Sequence, residues 1–196
     1  MRTFIAIEIP ATVHSLIRQR QQTLEAILVA ANQGQAMNWT PPAKVHITLR
    51  FLGATTDHQC QVMQRAISAI SAVQKPFVLS IGETGCFPNR QTPHVVWLGI
   101  QDESNTLFNL QQQVEQAAQS AGFAVETKPF TPHLTIGRLR RVVTRPERVT
   151  LHTEVRNKDL PRILRRGQGR NHRRVKRLAH QIVSLRHLGN GGRPVL

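Results

Sequence analysis

Two short stretches of this chain repeat one pattern, His46-Ile47-Thr48-Leu49 and His133-Leu134-Thr135-Ile136. In each, a histidine and a threonine are separated by one apolar residue and followed by another. Alternate side chains of a β-strand leave the same face, so each stretch presents an imidazole beside a hydroxyl while its apolar pair turns the other way. If the two faces met across a cleft, two imidazoles and two hydroxyls would surround one small substrate group. That is the equipment for general acid–base cleavage of a phosphodiester. A neutral histidine takes a proton from water, and a protonated one gives a proton to the leaving oxygen. Free histidine titrates near about 6.5, so both forms are available at neutral pH, and each transfer contributes typically about 10²–10⁴-fold. Thr48 and Thr135 can hydrogen-bond non-bridging phosphate oxygens, and Arg138 can add charge-assisted bonds.

One such triplet is unremarkable, because a strand histidine is more often structural than catalytic. Two copies 87 residues apart, each with apolar residues at the alternate positions, suit one copy per structural repeat. Zinc is the other chemistry that histidines suggest. It is poorly supported here, with no H-x-H, no H-E-x-x-H and no carboxylate within several residues of His46 or His133. No metal and no cofactor is therefore expected. His14, His58, His94, His152, His172, His180 and His187 lack the pattern and read as surface or structural residues.

The elements that must position these residues alternate between strand and helix in both halves. Thr3–Ile9 alternates and ends at Pro10, an opening strand. Ala11–Ala31 and Asp57–Val73 have helical periodicity, and Ser104–Ala121 is a third helix stopped by Gly122. Met37–Thr40 is a short strand before the Pro41-Pro42 turn. Val45–Leu52 alternates strictly, which puts His46, Thr48 and Arg50 on one face and Val45, Ile47, Leu49 and Phe51 on the other. Phe77–Ile81 and Val95–Ile100 read as strands flanking a Gly82–Pro93 loop. Phe123–Thr127 is a short strand, His133–Arg138 alternates again, and Ile182–Leu188 is a weak last strand.

At 196 residues and 40% hydrophobic content the chain can bury a sizeable core, and one domain covering residues 1–196 is expected. The longest apolar stretch near the start is Ala26–Ala31, far short of the roughly 20 residues that span a bilayer. The N-terminal run carries Glu8 and alternates, unlike a signal peptide. Cys60 and Cys86 are too few for a disulfide scaffold, so a cytoplasmic location is expected.

The doubled motif resembles the two-histidine (2H) phosphoesterases. R-T-F-I-A-I-E-I-P at the start, K-V-H-I-T-L-R-F-L-G and K-P-F-T-P-H-L-T-I-G-R look like its bacterial and archaeal branch. That branch holds the RNA 2′,3′-cyclic phosphodiesterases, also called LigT-like proteins or 2′-5′ RNA ligases. The resemblance covers roughly residues 1–140. It implies an α+β fold of two pseudo-symmetric antiparallel-sheet lobes with outer helices and a central cleft. It implies metal-independent hydrolysis of a 2′,3′-cyclic phosphate to a 2′-phosphomonoester, with His46 as proton donor and His133 as proton acceptor. Thr48 and Thr135 match the motif threonines, and Arg138 matches a basic residue that often follows the second motif. The partner is then RNA with a cyclic phosphate end, or a cyclic nucleotide, acted on by a monomer without a membrane. Two alternatives stand beside it: 2′-5′ RNA ligation, in which a 5′-hydroxyl replaces water, and a non-catalytic RNA-binding protein.

The net charge of +15 is unevenly spread. Residues 1–137 hold 9 Lys+Arg against 8 Asp+Glu, while residues 138–196 hold 17 against 3. Residues 141–196 depart from the family: they are Arg-rich, and the chain contains no tyrosine to complete the family's Gly-x-x-Tyr ending. Three readings of the segment stay open, namely an RNA-binding extension, a divergent last strand with a solvated basic surface, and a stretch read out of frame.

Overall fold

A computed structural model describes residues 2–89, 93–140, 174–178 and 183–188. The strands are β1 (Arg2–Glu8), β2 (Met37–Trp39), β3 (His46–Ala54), β4 (Phe77–Phe87), β5 (Val95–Gln101), β6 (His133–Leu139), β7 (Arg174–Leu178) and β8 (Val183–Leu188). Helices α1 (Ala11–Ala30), α2 (Asp57–Val73) and α3 (Thr106–Ser120) alternate with them. The helices start and stop for local reasons. The ring of Pro10 fixes the backbone entering α1. Thr56 and Gln59 close a reciprocal capping box on α2. Gly122, at φ +84°, ends α3 and lets the Phe123 N–H return to the Ala118 carbonyl at 3.0 Å.

All strand pairs are antiparallel, in the order β7-β4-β5-β6-β3-β1-β8, with β2 added on β6. The fold is thus α+β, and its two halves meet edge to edge. One residue pair, Ile47 with Leu134, joins β3 of the first half to β6 of the second. Ile5, Ile47, Leu98, Leu134 and Ile136 are fully buried, together with Ile17 of α1 and Val114 of α3. The helices therefore cover the face of the sheet opposite the two histidines.

Each motif ends in a β-bulge. Along β3, Ala6 pairs with Thr48 but Ile5 pairs with Arg50, so Leu49 is an extra residue. Along β6, Trp97 pairs with Thr135 but Val96 pairs with Gly137, so Ile136 is an extra residue. The extra residue reverses the alternation that follows it. This corrects the strict reading of Val45–Leu52. Arg50 turns to the helix side and is buried at 8% exposure, while Phe51 turns to the histidine side at 52%. Arg138, five residues after His133, is exposed on the histidine side for the same reason.

Two other expectations are revised, and one further strand appears. The Gly82–Pro93 loop is strand as far as Phe87, because Gly85 lies beneath the Trp97 ring, where any side chain would collide with the indole. Phe123–Thr127 is not a strand, since its backbone groups are taken elsewhere. The Ala124 carbonyl accepts from Arg50, and the Glu126 N–H donates to Glu115. Arg174–Leu178 is a strand paired with β4, inside a stretch whose Arg and Gly content hid it.

The buried Arg50 ties β3 to α3. Its Nε lies 2.5 Å from Glu115 Oε2, an ion pair rather than an aligned hydrogen bond. Its Nη atoms donate to the carbonyls of Phe51 and Ala124. Burial works to raise the Glu115 pKa. The Gln119 amide, the Glu126 N–H and the Arg50 charge together outweigh it, and the carboxyl titrates below its usual value. Breaking such a pair strands a buried charge. Arg50→Met should therefore cost about 3–5 kcal/mol by urea denaturation, while Arg50→Met with Glu115→Leu should recover most of that loss. With a depressed native pKa, the stabilisation from Glu115 is complete above its unfolded value and drains away as the pH falls through the native one.

Candidate active site

The Ile47–Leu134 pair sets the site by register. Counting one residue outward along the two antiparallel strands places His46 opposite Thr135, and Thr48 opposite His133. Opposed residues share a face, and Ile47 and Leu134 occupy the buried one. All four polar side chains are thus brought together on the other face, and each histidine stands across the seam from the other motif's threonine. All four are partly exposed, and among the described residues neither threonine hydroxyl takes a hydrogen bond.

Each histidine is oriented in the same way. His46 Nδ1 lies 2.9 Å from the Lys44 carbonyl, and His133 Nδ1 lies 2.7 Å from the Thr131 carbonyl, in both cases two residues upstream. A carbonyl only accepts, so Nδ1 carries the hydrogen and Nε2 is left for proton exchange. Aromatic rings complete the packing. Phe4 stacks on His46 at 4.8 Å, and Phe87 meets His133 edge-on at 4.9 Å with Trp97 behind it at 6.0 Å. Sequence reasoning missed these three rings. Phe4 and Trp97 occupy alternating strand positions that look like any others, and Phe87 lay in the stretch read as a loop.

Burial is the largest influence on both imidazoles and lowers their pKa, while the carbonyl bonds at Nδ1 work to raise it. The charge of Arg138 lowers both, and that of His133 lowers His46 further. His46, His133 and Arg138 therefore lie within electrostatic reach of one another. Register also sets Glu8 opposite His46, a carboxylate that no local motif announced. Among the described residues no group of three or more His, Cys, Asp or Glu side chains is placed to hold a metal ion.

The model of a family described as the 2′-5′ RNA ligase superfamily matches residues 17–163. The chain belongs to that family. A Bacillus subtilis protein named RNA 2′,3′-cyclic phosphodiesterase is 33% identical over 135 residues, covering 69% of each chain. A Geobacillus stearothermophilus protein of the same name is 35% identical over 100 residues. That match covers 51% of this chain but only 32% of the relative's length. Among solved structures, Escherichia coli LigT complexed with 3′-AMP superimposes with a TM-score of 0.53 at 26% identity, covering 73% of this chain and 76% of LigT. A Thermus thermophilus protein, TT0787, superimposes with a TM-score of 0.62 at 23% identity, over 74% of this chain and 78% of that one, a likeness of fold. Among the described residues no helix is long and apolar enough to cross a membrane. The Arg-rich stretch lies outside the described residues, apart from the backbone of β7 and β8.

Both imidazoles are pushed below their ordinary value, so the kcat/KM profile against pH should be a bell centred on the acid side of about 6.5. Its two apparent values belong to the pair rather than to either histidine. Arg138→Gln removes a charge that depresses both and should move the whole bell to higher pH. Steady-state rates on a nucleoside 2′,3′-cyclic phosphate between pH 4.5 and 9 check both statements, and a flat profile with chemistry rate-limiting would exclude two-histidine catalysis.

Proposed function

We propose that this chain hydrolyses 2′,3′-cyclic phosphate ends of RNA to 2′-phosphomonoesters without a metal, using His46 as general acid and His133 as general base. The observation that carries the reading is the seam itself, where two His-Thr pairs converge with both Nδ1 atoms fixed and an arginine in electrostatic reach. The activity named for the curated relatives agrees with this chemistry.

A water oxygen attacks phosphorus and gives a proton to His133 Nε2. The bond from phosphorus to O3′ breaks, and O3′ takes a proton from His46 Nε2. The product carries its phosphate on O2′, and the two histidines exchange protons with solvent before the next turnover. As phosphorus passes through five-coordination, charge builds on the non-bridging oxygens, where Thr48, Thr135 and Arg138 supply donors. The depressed pKa of His133 suits a base that must be neutral. The acid His46 recovers proton affinity when the anionic substrate enters, because a nearby negative charge favours the protonated form. The same geometry, with a 5′-hydroxyl attacking in place of water, would join RNA ends. Water at about 55 M prevails unless the second strand is held by binding energy.

Turnover of a nucleoside 2′,3′-cyclic phosphate should survive EDTA and be lost in His46→Ala and in His133→Ala, with the product identified as the 2′-phosphate. Turnover abolished by EDTA, or retained in both variants, would overturn the assignment. Thr48→Val and Thr135→Val keep the side-chain shape and remove only the hydroxyl. Each should lower kcat more than it raises KM, by about 2–4 kcal/mol of transition-state stabilisation. Near-full activity in both would make the threonines ordinary strand residues.

A further inference from the structure

Arg138 reaches the histidine face only because β6 is bulged at Ile136. In an unbroken alternation a residue five positions after His133 would project to the helix side. The bulge therefore has to be held, and the structure shows what holds it. Gln21, on the buried face of α1, donates from Nε2 to the Ile136 carbonyl at 2.9 Å and to the Thr40 carbonyl at 2.6 Å. The Thr40 N–H donates to the same Ile136 carbonyl at 3.0 Å. The extra residue of a bulge is left out of the regular ladder with β5, so its carbonyl needs partners from elsewhere. For the Ile136 carbonyl they come from Gln21 of α1 and from Thr40, just after β2. Gln21 is 7% exposed, a polar side chain whose burial is compensated by these bonds.

The neighbouring contacts reinforce the same hold. One turn along α1, Glu25 accepts from Trp39 Nε1 at 3.3 Å, and the Trp39 ring lies against Gly137, where a Cβ would meet it at 3.0 Å. Trp39 pairs with Gly137, and Asn38 pairs with Arg138 itself. Helix α1 thus grips the bulge and the strand beside it on both sides of the residue that turns Arg138 to the histidine face.

We propose that Gln21 is a positioning residue for Arg138: its amide holds β6 in the bulged register that presents the guanidinium to the substrate phosphate. This rests on the reading of Arg138 as a phosphate-binding residue. Without the amide, the Ile136 carbonyl keeps only the Thr40 N–H. The strand can then slip toward regular alternation, which would carry Arg138 away from the histidines.

The test is a double-mutant cycle on a nucleoside 2′,3′-cyclic phosphate, with Gln21→Met, Arg138→Gln and the combination. Gln21→Met should lower kcat/KM by about tenfold in the wild-type background and by no more than about twofold once Arg138 is gone. It should also move the pH profile toward higher pH, as Arg138→Gln does, a change that loss of helix packing alone would not produce. Thermal unfolding shows whether each variant is folded. Gln21→Asn, which keeps a shortened amide, is the milder second variant should Gln21→Met fail to fold. If Gln21→Met costs the same with and without Arg138, or leaves rate and profile unchanged while Arg138→Gln impairs turnover, the positioning role is overturned and the reading of Arg138 stands. If Arg138→Gln itself leaves kcat/KM unchanged, the phosphate-binding reading falls, and the inference falls with it.

Discussion

A single backbone pairing, Ile47 with Leu134, governs the geometry of the site. It sets which side chains oppose one another across the seam and which face they share. A slip of one residue on either strand would send one His-Thr pair into the core and bring a buried apolar pair out to water. Such a slip is prevented by burial, because Ile47, Leu134 and Ile136 have no exposed surface and Leu49 has almost none. The apolar half of each motif is therefore as necessary as the polar half. It anchors the register that aligns imidazole against hydroxyl.

The two bulges extend this logic. Each falls at the last residue of its motif, Leu49 or Ile136, and each is braced by a buried polar group on a helix of the opposite half. On one side α3 carries Glu115, paired with Arg50 just beyond the β3 bulge. On the other, α1 carries Gln21, bonded to the carbonyl at the β6 bulge. The braces differ in chemistry, one ionic and one neutral, but they link the same parts. Each helix thus braces the motif strand of the other half, in addition to the strand pairing within each half. The halves share few backbone pairs but are bound through these cross-braces and a continuous apolar core.

Much of this was legible in the residues. Period-two alternation with Gly and Pro punctuation located β1, β3, β5 and β6, and 3.6-residue periodicity located α1, α2 and α3 to within two residues. The His-x-Thr pairs and Arg138 were legible because their residue types are chemically specific. What escaped was whatever depends on a neighbour distant in sequence. A bulge leaves no local mark, so strict alternation put Arg50 beside His46 when it lies behind the sheet, and Phe51 behind when it lies in front. Gly85 reads as loop until Trp97 is seen across it. Phe123–Thr127 has strand-like residues, but its hydrogen bonds are claimed by Arg50 and Glu115. Gln21 looks like any helix glutamine until the carbonyl it serves, 115 residues away, is known.

The internal twofold relation is broken in a way that suits the proposed acid–base chemistry. His46 and His133 have matching neighbours: a carbonyl two residues upstream, an aromatic ring within 5 Å, and a threonine across the seam. Five residues beyond each histidine, however, stand different side chains that the bulges turn to the same face, Phe51 after His46 and Arg138 after His133. A second guanidinium at Phe51 would act on both imidazoles in the sense Arg138 already does, lowering their proton affinity. In the proposed mechanism one histidine must still hold a proton at working pH to serve the leaving oxygen. On the proposed mechanism, a single arginine offers the phosphate a charged partner without a second charge that would lower the proton affinity of the acid further. The neutral Phe51 ring at the equivalent position of the first half adds nothing to the depression.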